Sequence, residues 1–149
     1  MDLQVDDFYH DSASALLALF RVFPRRQTLY IEDLIGFEPT DEFGLPSTRH
    51  QACLSALLWL SDEGYIRHQD QLGYSAVEHA CLTQKSFVRL VRLYQPDEAT
   101  WQNLPASVRR GQGSLAEQLR QALHNNDGER LAILCQWLFQ PINASSDIA

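Results

Sequence analysis

Residues 46–83 restrict the fold more than any other stretch of this chain. From Thr48 onward, Cys53, Leu54, Leu57 and Leu60 recur at helical spacing. Thr48 accepting from the amide of Gln51, with Gln51 reaching back, would make a capping box. Gly64 stands where a helix closes on a left-handed residue. Tyr65 to Gln69 and Tyr74 to Leu82 then read as two strands around Asp70-Gln71-Leu72-Gly73. The order is a capped apolar helix, a glycine stop and a compact strand–turn–strand.

The flanking segments are mostly helical. Ala13, Leu16, Leu17 and Phe20 predict a helix from about Asp11 to Val22, capped by Asp11 or Ser12. Asp6 and Asp7 complement the dipole at that end, and Pro24 stops the helix. Leu29-Tyr30-Ile31 predicts a short strand, Glu32 to Phe37 a short helix closed at Gly36, and Glu38 to Pro46 a loop. Thr83 caps a helix running to Tyr94 and packed through Phe87, Leu90, Val91 and Tyr94. Residues 1–94 thus form one domain, and 95–113, with Pro96, Pro105, Gly111 and Gly113, read as a linker. Residues 114–142 form a C-terminal helical pair carrying Leu115, Leu119, Ala122 and Leu123, then Leu131, Leu134, Cys135 and Leu138. Each helix is amphipathic, so the pair either packs on the first domain or builds a homodimer interface. The chain from Asn143 is expected to fray.

No apolar run approaches the roughly 20 residues of a membrane helix. The acidic start, Met1 to Asp7, does not read as a signal peptide. Three widely spaced cysteines, Cys53, Cys81 and Cys135, suit a reducing cytoplasm better than a disulfide framework. The net charge of −7 is unevenly spread. Residues 1–45 hold nine acids against three bases, and residues 95–149 six against four. Residues 46–94 alone carry more bases than acids, five against four. A nucleic-acid binder needs a basic footprint, and here only that middle segment offers one.

Three junctions carry a resemblance. They are Tyr30-Ile31-Glu32-Asp33-Leu34-Ile35, then Leu60-Ser61-Asp62-Glu63-Gly64-Tyr65-Ile66, then Cys81-Leu82-Thr83-Gln84-Lys85. Over residues 11–94 the pattern resembles the bacterial winged helix-turn-helix superfamily, and the second and third junctions are similar to those of MarR- and PadR-like regulators. The resemblance implies a mainly α fold with a small β-hairpin wing, followed here by the C-terminal helical pair. It also implies a DNA-binding transcriptional regulator that dimerises through terminal helices. Two features depart from the pattern: the connection from Gly36 to Ser47 is long, and the wing turn carries no Lys or Arg. Acidic winged-helix proteins that hold protein partners, as in condensin-like complexes, are similar at this level, so a protein-interaction module is the alternative.

In such a domain the third helix enters the major groove. Arg49, Gln51 and Ser55 are then the candidate readers of double-stranded DNA, with Asp62 an unfavourable neighbour on the same polar wedge. Arg67 on the wing, and Lys85, Arg89 and Arg92 at i, i+4 and i+7 on the next helix, are candidate phosphate contacts; a solvated charged face is the commoner use of such a run. Trp59, flanking the core stripe with Ala52, and Trp137 are candidate partner anchors, unless each packs within the chain. His79 and Cys81 alternate on one strand and could join Cys53 or His50, but the spacing fits no structural zinc pattern, so no metal is expected. Arg109-Arg110 with Gly111-Gln112-Gly113 lacks the strand and the Lys-Ser/Thr of a phosphate loop. No Gly-x-Ser-x-Gly, His-Glu-x-x-His or Gly-x-Gly-x-x-Gly occurs. Neither an enzyme nor a cofactor is expected.

Overall fold

The computed structural model describes residues 3–94 and 113–141. The linker reading at 95–112, the Arg109-Arg110 pair and the terminus from Asn143 lie outside the described residues. Among the described residues are six helices and a small antiparallel sheet of four strands.

Helix α1 spans Leu3–Val22, eight residues longer at its start than the expected Asp11. The extension follows from packing: Phe8 sets its ring against Trp59 and Phe139, with centroids 5.1 and 5.8 Å apart. Asp11 is therefore not a cap but a buried mid-helix residue. Strand β1, Gln27–Tyr30, leads into the short α2, Ile31–Ile35, which Gly36 ends at φ +85°.

Helix α3 spans Thr48–Asp62. Its cap is Ser47, whose hydroxyl accepts from the His50 amide at 3.0 Å, not the expected Thr48. Gln51 instead donates through Nε2 to the Pro46 carbonyl at 2.9 Å. At the other end Gly64 adopts φ +79°, and the Tyr65 amide donates back to the Leu60 carbonyl at 2.8 Å, closing the helix as a Schellman turn does.

The strands that follow are β2, Ile66–Arg67, β3, Asp70–Leu72, and β4, Ala76–Leu82. Asp70–Leu72, expected as part of the turn, is a strand; the turn lies two residues later, where the Ser75 amide donates to the Leu72 carbonyl at 2.9 Å. β4 is the hub. It pairs antiparallel with β1 along one side, and with β2 and β3 in succession along the other. The expected hairpin is thus part of a larger sheet, because β1 finds its hydrogen-bond partners on the free edge of β4.

Helix α4, Gln84–Val91, starts at a Thr83 cap and stops short of the expected Tyr94. There the chain turns into a clamp: the Tyr94 amide donates to the Gly113 carbonyl at 2.7 Å, and the Leu115 amide to the Arg92 carbonyl at 2.8 Å. Helices α5, Leu115–His124, and α6, Gly128–Phe139, are capped by Ser114 and Asp127 and lie against α1. Leu119, Leu134 and Leu138 are buried in the same apolar core as Leu16, Leu57 and Val77. The apolar faces of the C-terminal pair are therefore covered by their own chain.

Candidate functional site

The candidate DNA readers on α3 are divided by their surroundings. Arg49 grips Asp11 with two hydrogen bonds, Nη1 to Oδ2 and Nη2 to Oδ1, both 2.6 Å, and its Nε lies 3.7 Å from Asp7. The Asp11 side chain is wholly out of solvent, and His10 Nδ1 lies 3.0 Å from it. Burial acts to raise the Asp11 pKa, but hydrogen bonds from Arg49 and His10 and the charge of Arg49 outweigh it and hold the carboxyl below its ordinary value. Arg49 thus neutralises a buried acid of α1. Gln51 and Ser55 stand exposed on the next turns, with Gln51 turned back onto Pro46.

The other cations lie elsewhere. Lys85 donates to the Glu63 carbonyl at 2.9 Å and sits 4.2 Å over the Tyr65 ring. Arg89, only 7% exposed, donates to the Lys85 carbonyl at 3.2 Å and lies 5.9 Å from the same ring. Both therefore gather at the C-terminal end of α3, about 20 Å along the helix from Arg49. Arg92 is exposed beyond α4. Arg67 lies on β2 and shares a cleft of ≈ 360 Å³ with Arg26, Phe23 and Phe87.

Trp59 is 38% exposed and packed on three rings: Phe8 at 5.1 Å, Phe139 at 5.4 Å and Tyr65 at 6.1 Å. Trp137 is half-buried, edge-on to Tyr94 at 5.3 Å. Both candidate anchors hold the C-terminal helices to the rest of the chain. Burial pushes the Cys53 and Cys135 thiols up to about 12, so both stay protonated at neutral pH.

Among the described residues the most exposed apolar side chains lie where no site was expected. Phe37 is 75% and Phe43 79% exposed, both on the loop between α2 and α3, with Leu45 beside them. The loop tip is built rather than slack: Asp41 Oδ1 accepts from the amides of Phe43 and Leu45, each at 2.9 Å, and the Asp41 amide donates to the Leu45 carbonyl. At the hairpin, Tyr30, Ala76 and Leu72 occupy one cross-strand row, so the exposed Tyr30 and Leu72 flank the buried Ala76. His50 Nε2 lies 2.7 Å from the Tyr74 carbonyl, tying the hairpin tip to the first turn of α3, where the loop also ends. The C-terminal end of the loop and the hairpin tip thus both meet the start of α3. Glu32, Asp33, Glu38, Asp41 and Glu42 fall in the same stretch of chain, and no Lys or Arg occurs from Gln27 to Thr48. Two phenylalanines in a loop punctuated by Pro39, Gly44 and Pro46 were the sequence signal for this surface.

His79 and Cys81 were expected to share a face without a metal partner. The structure instead brings His79 together with Glu78 and Asp70, their ligand atoms within 4.8 Å of one another.

No protein-family model, curated protein or solved structure matches the chain. Among the described residues no helix is long and apolar enough to cross a membrane.

Proposed function

We propose that this chain is a protein-interaction module on a winged helix-turn-helix core, with α1 to α3 as the helical bundle and β3–β4 as the wing. Its partner is a protein segment rich in Lys and Arg that also carries apolar side chains. One observation carries the reading: Phe37 and Phe43 stand in solvent on an internally hydrogen-bonded loop whose charges are all acidic. Exposed aromatic clusters anchor interfaces, and an acidic rim selects and steers a basic partner. The cations that would serve DNA support this choice from the other side, since Arg49, Lys85 and Arg89 are engaged within the chain.

The test is photo-cross-linking from a benzophenone side chain placed at Phe43 in the producing cell. The expected product joins Phe43 to a Lys- and Arg-rich peptide of another protein. The F37D/F43D double variant abolishes partner binding with an unchanged melting temperature. Cross-links only to a second copy of the chain, to DNA, or to nothing overturn the proposal.

The regulator reading keeps one specific support, the convergence of Arg26 and Arg67 on one cleft. On that reading a 30-base-pair duplex binds with an affinity that falls steeply with salt, and R26A/R67A abolishes it. Absence of retention at low ionic strength removes it.

A further inference from the structure

In a regular strand successive side chains alternate, which would set Glu78 and His79 on opposite faces of the sheet. β4 is not regular. Gln27 pairs with Ala80 but Leu29 with Val77, so one intervening residue of β1 spans two of β4. This is a β-bulge, and His79 takes φ +56° within it. The phase of the strand changes there: Val77, Ala80 and Leu82 all face the core, while Glu78 and His79 are both left outside it. Asp70 on β3 is the direct cross-strand partner of Glu78. An oxygen from each carboxylate and a ring nitrogen of His79 then lie within 4.8 Å of one another.

We propose that Asp70, Glu78 and His79 form a binding site for a divalent transition-metal cation, zinc above the others. Two carboxylates placed directly opposite each other across an antiparallel pair repel, and a bound cation turns that repulsion into attraction. Among the described residues neither carboxylate is paired with Lys or Arg. One imidazole nitrogen with two carboxylate oxygens suits zinc or manganese rather than calcium or magnesium, which take oxygen ligands, and zinc binds such sets more tightly than manganese. Ligand atoms about 2.0–2.2 Å from zinc stand roughly 3.4 Å apart. The surface side chains reach that spacing by rotation. Three protein ligands leave the fourth position to water or to a side chain of a partner. The bound metal staples β3 to β4 behind the turn that displays Leu72 and Tyr74. The site stands on its own residues and does not depend on what docks at Phe43.

The experiment is calorimetric titration of untagged, chelator-stripped protein with zinc chloride, and in parallel with manganese chloride. One zinc binds per chain, more tightly than manganese, and zinc at ten times its dissociation constant raises the melting temperature by about 3 °C. D70N and H79N each weaken zinc binding at least about tenfold; Asn at 79 keeps a residue tolerant of the left-handed backbone. Metal-free D70N melts no lower than the unsubstituted protein, which separates loss of a ligand from loss of the fold. C81S, two residues along β4, leaves the affinity unchanged. The proposal is overturned if zinc fails to bind at millimolar concentration, if binding survives D70N and H79N, or if C81S removes it.

Discussion

The two ends of helix α3 make opposite use of charge. At its C-terminal end, Lys85 and Arg89 close over Tyr65 and donate to backbone carbonyls, beside the ring stack of Trp59, Phe8 and Phe139. Near its N-terminal end, Arg49 goes inward to Asp11, while the Phe37–Leu45 loop and the hairpin tip carry aromatics and acids outward. Arg49, Lys85 and Arg89 therefore complete the fold, while acids and aromatics of the loop stay in solvent. Net charge alone would not have separated the two, because a structural cation and a functional one count equally.

The largest test of this contrast is Arg49→Ala. It strands the buried Asp11 carboxylate, and breaking such a pair costs about 3 kcal/mol, at the low end because Arg49 keeps some solvent contact; urea denaturation reads it. A change below about 1 kcal/mol would mean that Arg49 is free for another role. Leu119→Ala, at a fully buried site, costs about 3 kcal/mol by cavity formation. It lowers one cooperative transition, whereas two transitions would show that the C-terminal pair unfolds separately.

The acid limb of the stability curve sharpens the same point. The Asp11 pKa is depressed in the folded state, so its contribution is fully present above the unfolded carboxylate value near 4 and is lost as pH falls through the lower folded value. The stability gap between the unsubstituted protein and Asp11→Asn should narrow in that window; a gap constant with pH would contradict it. Lys85→Ala costs about 0.5–1 kcal/mol, the worth of an exposed cation–π contact, measured as a lowered urea midpoint. Phe43→Ala changes stability by less than about 0.5 kcal/mol, because its ring is in water already. A larger loss would make Phe43 a structural residue and remove it from the proposed surface.

The regular parts of the fold were legible. The apolar period of α3, the stop at Gly64 and the Thr83 cap each act within a few residues, and each is found where the sequence placed it. The cap of α3 moved one residue, because Ser47 and Thr48 offer the same chemistry and the chain entering from Pro46 chooses between them. The start of α1 was missed because acids at 6, 7 and 11 look like a helix terminus until the ring stack at Phe8 and the Arg49 contact appear. The bulge at His79 left a faint trace in apolar Val77, Ala80 and Leu82, whose spacing departs from strict alternation.

By itself, the sequence determined the centres of most helices and of β1, β2 and β4, since propensity, capping and periodicity are local forces written in neighbouring residues. Only the tertiary structure decided which charges are spent inside the fold and which stay in solvent. Arg49 and Asp11 are 38 residues apart, and no rule of spacing ties them. Their pairing follows from the crossing of α1 and α3, where a buried carboxylate must be matched by whichever cation the packing brings within reach.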